Sequence, residues 1–510
     1  MGLLRYTASA DTTITNAYEA GLSTRGTGSN MGYADALEVF SLYGQSSGSA
    51  TGQSQELSRI LVKFPISQIS ADRTSGQLAA SGSVSFYLKM YNARTPWTLP
   101  QDFNLVVAPV SRSWAEGSGL DMDEYQDLGA SNWIKSDNTT DWTSIGGDYH
   151  TASNYNVPFA LGYEDLELDV SDVIEQWIAG DDPEFANNYG FGIRLTASQE
   201  AFFSSSTGQD TSVLINNPAG ATESYYTKQF FARSTEFFFK RPTLEARWNS
   251  SIKDNRENFY YSSSLAPAAD NLNTLYFYNY IRGRLVDIPG NPAIRVSLLS
   301  GATAPSTGSA VQLYGESGGD GTTSHSASAG RVSTGLYSAS MAVTAAASPL
   351  TVLYDVWSSA ADTAVQYFTG SIYPQKMPTY MGAPTFNRVT NIKYMKKSYS
   401  PFETARFRLF VRDKNWSPTI YTRATSINPT DIIESGAFSI RRVIGDLNVV
   451  PFGTGSDLHT MMSYDVSGNY FDLNMSLLES GYMYEIHLAY YNDSISSWIE
   501  QPYTFKFRVD

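Results

Sequence analysis

EDLELDVSDVIEQWIAGDDPEFANNYGFGIRLT, residues Glu164–Thr196, is the stretch on which the fold turns. Val170, Val173, Ile174, Trp177 and Ile178 recur at helical spacing and form one apolar stripe. Asp169 or Ser171 can cap the start, because a short side-chain oxygen accepts a free backbone N–H there. Gly180 can end the helix, since glycine enters the left-handed region without a Cβ clash. On both sides the period changes to two: Leu166 and Leu168 alternate with charges, and Phe191, Ile193 and Leu195 alternate with Gly192 and Arg194. The reading is strand, short helix, glycine-containing turn, strand. A helix this short is not stable alone, so its stripe must lie on a sheet.

Outward from this stretch the chain reads as β throughout. Towards the N-terminus, Thr13–Thr15, Ala36–Phe40, Arg59–Phe64, Val84–Tyr91 and Leu105–Val110 are strand-like, with polar Gly/Ser loops such as Ser46–Ser54 between them. After Trp248, short strands recur at Ile294–Leu299, Val311–Tyr314, Gly335–Val343 and Thr351–Trp357. Beyond Pro374, Pro378 and Pro384 they recur at Ala405–Arg412, Phe438–Val443, Tyr470–Met475, Tyr482–Tyr490 and Tyr503–Val509. At 510 residues the chain is too long for one core. The expected fold is all-β: an N-terminal sandwich with one short helix over 1–250, then two immunoglobulin-like sandwiches over 251–377 and 378–510. Tyr354-Asp355-Val356 and Tyr464-Asp465-Val466 give the last two a common texture.

Composition narrows the function. There are no cysteines, which removes disulfides, thiolate catalysis and zinc–cysteine sites and fits a protein made in a bacterial cytoplasm. The N-terminus MGLLRYTASADTTI lacks the apolar run of a signal peptide. No stretch has the apolar length of a membrane-spanning helix, so membrane insertion is not expected. A formal charge of −15 opposes binding to nucleic acid.

Several segments, in order, resemble the DNRLRE-type jelly-roll module, a carbohydrate-binding-module-like β-sandwich of bacterial surface and phage proteins. They are ASADTTITNA, GYADALEVF, LSRILVKFPIS, VSFYLKMYNA, SRSWAEGSG with Trp142, DLELDVSDVIEQWIAG with NYGFGIRL, and FFARSTE with RPTLEARW. The resemblance covers roughly the first half of the chain and implies a jelly-roll there. MGLLRYTASADTTI, TKQFFARSTEFFFKRPTLEARW and SSSLAPAADNLNTLYFYN also resemble virion structural proteins of marine tailed bacteriophages. That likeness implies a non-enzymatic tail, neck, baseplate or head-surface component, located in the virion, with other virion proteins and copies of itself as partners.

Candidates for chemistry are few. His150, His325, His459 and His487 do not stand at metal-ligand spacing, and His487 on an alternating strand reads as a satisfied sandwich residue. Polysaccharide cleavage would need a carboxylate pair among Glu116, Asp121, Asp123 and Glu124, but a solvated acidic loop accounts for them. Asp121-Met122-Asp123 has alternating spacing but lacks the EF-hand glycine, and Asp181-Asp182 after the helix is equally unspecific. A structural calcium ion is the one cofactor the sequence leaves open, and no other is expected. Glycan binding, by an adhesin or host receptor-binding protein, would use loop aromatics stacked on a sugar: Trp97, Trp133, Trp142 and Tyr149. Trp114, Trp177 and Trp248 read as core. Tyr225, Tyr226, Phe230, Phe231, Phe237 and Phe239 exceed what one sheet face needs. Phe230 and Phe231 point to opposite faces of a strand, so one face is expected to meet a neighbouring domain or subunit.

Overall fold

The structure is a computed structural model. It describes residues 1–44, 55–95, 100–120, 124–181, 187–205, 212–267, 269–301, 308–314, 325–343, 350–377, 388–415 and 430–510. The described chain is all-β and divides into two compact units, Gly2–Trp248 and Asn249–Asp510 with Met1.

The first unit contains β1 (Leu3–Thr7), β2 (Ala10–Thr15), β3 (Ala36–Tyr43), β4 (Gln55–Lys63), α1 (Ile66–Ser75), β5 (Ser85–Met90) and β6 (Phe103–Pro109). It continues with β7 (Tyr155–Phe159), β8 (Leu166–Asp169), α2 (Ser171–Ala179), β9 (Phe191–Leu195), β10 (Tyr225–Phe231) and β11 (Thr243–Arg247). One sheet runs β1-β11-β5-β8. The other runs β10-β3-β4-β9-β6-β7, with β2 also paired to β4. The strand pairs within both sheets are antiparallel. β8 and β9 lie in different sheets, so Glu164–Thr196 is the crossover between the two layers.

α2 lies where the sequence places it. Val170, Val173, Ile174 and Trp177 are buried and Ile178 packs beside them. Asp169 Oδ1 accepts from Ser171 N at 3.0 Å, and the Ser171 hydroxyl turns outward to accept from Phe86 N on β5 at 2.7 Å. Gly180 closes the helix at φ +65°, donating to Gln176 O at 2.9 Å. The expectation of a single helix needs correction, because α1 is a second one. Its stretch ISQISADRTS offers only Ile66 and Ile69 to the core, too few to show a stripe. Tertiary contacts hold it instead: Arg73 makes a bidentate pair with Glu175 of α2 at 2.5 and 2.6 Å.

The core lies between the sheets. Ile60 and Val62 of β4, Phe86 and Leu88 of β5, Leu105 and Val107 of β6, and Phe191 and Ile193 of β9 meet there. The larger sheet is covered on its other face too. Leu57 and Leu61 of β4 pack against Trp114, Trp133 and Trp142 from the loops that follow β6. Burial on both faces matches the unbroken apolar run Ile60-Leu61-Val62, all three fully buried.

In the second unit, Asn273–Tyr278, Leu336–Met341, Ala327–Ser333, Ile294–Ser300, Leu353–Ser359 and Gln366–Ile372 form one six-stranded sheet in that order. It encloses Phe277, Val296, Tyr337 and Trp357. Thr404–Asp413 and Gly468–Asn474 belong to a four-stranded sheet, and Gly436–Arg442, Met483–Asn492 and Phe505–Val509 to a six-stranded one. Phe407, Phe438, Phe471 and Phe507 stack between them, with Phe438 and Phe471 3.9 Å apart at the ring centroids. Each Tyr-Asp-Val aspartate takes a bidentate arginine: Asp355 holds Arg256 at 2.5 and 2.7 Å, and Asp465 holds Arg408 at 2.6 and 2.8 Å.

Candidate functional site

Arg59 on β4 and Arg194 on β9 both leave the outer face of the larger sheet, because their neighbours Ile60 and Ile193 turn inward. The antiparallel register Ile60↔Ile193 sets the two arginines opposite each other. Tyr149, from the loop before β7, lies between them. Its ring centroid is 5.8 Å from the Arg59 guanidinium and 4.8 Å from that of Arg194. The ring occupies a slot that two glycines keep open. A Cβ on Gly192 would come within 2.0 Å of Tyr149 Cε1, and one on Gly147 within 2.4 Å of its hydroxyl. The hydroxyl donates to Gly146 O at 2.8 Å.

Arg59 is neutralised by Glu200 in a buried fork–fork pair, with Nε–Oε1 2.9 Å and Nη2–Oε2 2.8 Å. Its Nη1 donates to Gly146 O at 3.0 Å. Burial acts to lower the Arg59 pKa, but Glu200 and Tyr149 together outweigh it and the net direction is up. Arg194 moves the opposite way, lowered first by burial and then by Arg59. Beside Tyr149 opens a cleft of about 730 Å³, lined among others by Arg112, Thr143, Ser144, Asp148 and Arg194.

The predicted sugar platform is only partly in this place. Tyr149 lines the cleft. Trp133 is 0% exposed and donates Nε1–H to Val213 O at 3.0 Å; Trp142 is 5% exposed and donates to Asn132 O at 2.9 Å. Neither offers a face for stacking on a sugar, because both roof the outer face of the sheet. Trp97 lies outside the described residues.

The predicted interface aromatics also divide. Phe230 is fully buried, edge-on to Phe159 at 6.3 Å, and Tyr225 packs at the margin of the same core. Phe231 lies half-buried on the opposite face, with Phe237 against it at 5.5 Å. Phe237 is 52% exposed and Phe238 39%; Phe239 is half-buried. Phe231 and Phe237 line a groove of about 890 Å³ with Asp35, Arg94, Glu236 and Lys240. The Tyr226 side chain lies outside the described residues.

Glu116, offered as a catalytic carboxylate, is held in place: Oε1 accepts from Arg233 Nη2 at 2.8 Å and from Asp11 N at 2.9 Å. Asp121, Asp123 and Asp182 lie outside the described residues. Among the described residues no group of three or more His, Asp or Glu side chains could hold a metal ion. His487 pairs through Nδ1 with Glu500 at 2.8 Å. Sequence reading missed Lys228, a buried lysine whose pKa is lowered by burial to about 8. Its three N–H groups go to Asn92 Oδ1, Gly162 O and Glu164 O at 2.7, 3.0 and 2.6 Å, so it clasps a loop.

No family model matches the chain, and no curated protein matches it. Among solved structures, trypsin-activated alpha-2-macroglobulin from Escherichia coli is similar at 9% identity and TM-score 0.16, over 82% of this chain and 29% of that one. A DUF4785 family protein from Legionella pneumophila is similar at 8% identity and TM-score 0.12, over 99% and 90%. A Salmonella alpha-2-macroglobulin mutant is similar at 10% identity and TM-score 0.15, over 100% and 34%. The chain thus spans less than a third of the length of the first. At these TM-scores the likenesses carry no argument.

Proposed function

We propose that this chain is a non-enzymatic building block of a bacteriophage particle, a tail, neck, baseplate or head-surface component, acting through protein–protein contacts that include copies of itself. The exposed ring of Phe237, packed on half-buried Phe231 at the wall of the groove, carries this reading. Large rings within a polar rim are the composition of an interface, where aromatics are enriched and charges sit at the edge. The groove beside them contains Arg94, Lys240 and Arg241 against Asp35 and Glu236, a basic balance on a chain of formal charge −15. The acidic surface of a second copy complements it. The particle setting is supported by the order of segments that resembles virion proteins.

Light scattering on the purified chain, with mass spectrometry of purified particles, tests it. The expected result is a concentration-dependent oligomer that Phe237→Glu dissociates, and a chain present in particles. A monomer at every concentration, in a protein missing from particles, would end the reading.

A further inference from the structure

Arg194 and the cleft beside it carry a second site, which does not depend on the proposed function. Charges on that face can be counted. Arg59 and Arg194 stand opposite each other on neighbouring strands, where like charges repel. Glu200 answers one of them, with both oxygens committed to Arg59. Among the described residues lining the cleft the one carboxylate is Asp148, and it is also committed. Its Oδ2 accepts from Arg112 Nε at 2.7 Å and Thr143 N at 2.9 Å, and its Oδ1 from Ser144 N at 2.8 Å. Arg194 Nη1 is buried and has no hydrogen-bond partner among the described residues. Leaving a charged donor desolvated and unpaired is costly. One positive charge is therefore left over at the wall of an open cleft.

We propose that the cleft bounded by Tyr149, Arg194, Arg112, Thr143 and Ser144 binds an oxyanion: a carboxylate, sulfate or phosphate group. Arg194, which lines the cleft, supplies the charge. Thr143 and Ser144 also line the cleft, the Thr143 hydroxyl accepting from Arg112 Nη2 at 2.7 Å. The Tyr149 ring lies 4.8 Å from the guanidinium, and Gly192 and Gly147 leave the room that Tyr149 occupies. Binding fills the place of the missing counter-charge, so the ligand stabilises the first unit as it binds.

The test is thermal unfolding and titration calorimetry of the full chain with sodium acetate, sulfate and phosphate, against sodium chloride at matched ionic strength. The expected result is a saturable rise in Tm with at least one oxyanion and none with chloride; which anion gives the tightest response tells carboxylate, sulfate and phosphate sources apart. Arg194→Gln should weaken the apparent affinity at least tenfold. Ser144→Phe fills the mouth without removing a charge, and it should do the same if Arg194→Gln does not fold. A response equal for all four salts, or one that survives both substitutions, overturns the proposal.

Discussion

Glu200 shows how much one carboxylate can decide. It is buried, it forks onto Arg59, and Arg59 faces a second arginine across the sheet. Glu200→Gln should therefore cost about 3–5 kcal/mol in urea unfolding, the usual penalty for orphaning one half of a buried pair. Asp254 shows the opposite electrostatics. Burial raises its pKa to about 6, with Arg256 opposing. Its folded pKa lies above the ordinary 3.8, so the folded state holds the proton more tightly. Stability from this group is present below about pH 4 and is lost as pH rises through about 6. Asp254→Asn should flatten that fall and raise stability at pH 8 by up to about 3 kcal/mol. An unchanged pH profile of Tm would count against this. Neither group was legible in the sequence. The partner of Glu200 lies 141 residues away, and the burial that raises the pKa of Asp254 comes from packing that its chain neighbours do not reveal.

At the scale of elements, α2 and α1 contrast. α2 announces itself through its stripe, its Asp169–Ser171 start and its glycine stop, all local features. Gly180→Ala should cost about 1 kcal/mol, since the φ of +65° penalises a Cβ although nothing crowds the site. Trp177→Ala should cost about 3–5 kcal/mol, because Trp177 fills the space against Phe191 at 4.9 Å. Equilibrium denaturation reads both, and equal costs would contradict the assignment of one to backbone and the other to packing. α1 has no such signal, since its two isoleucines and the Arg73–Glu175 pair gain meaning only beside α2. The tryptophan loops behave likewise. Trp133 and Trp142 stand in loop-like sequence that does not reveal what they cover; the sheet beneath needs a cover on its second face, and they supply it.

For the whole molecule, the two compact units predict two unfolding transitions in calorimetry, with the chain Gly2–Trp248 folding alone and reproducing one of them. A single transition, and an unfolded fragment, would show that the units are one cooperative body. The acidic charge of −15 is a property of the whole chain, yet the two candidate surfaces are local exceptions to it, each with arginine or lysine in its walls. Such exceptions are invisible to composition, which averages over residues the fold later sorts.

Period, turn residues and end signals are short-range properties of the chain, so the all-β class, most strands, α2 and its glycine stop follow from the sequence alone. Pairing is long-range. Which strand lies beside which, that Arg59 meets Arg194 and Glu200, that Phe230 turns in while Phe237 stays out, and that Tyr149 rests in a slot between Gly147 and Gly192 are set only when distant segments close on one another. The chain writes its elements locally, and the charges and rings at its surfaces take their roles from neighbours that only packing supplies.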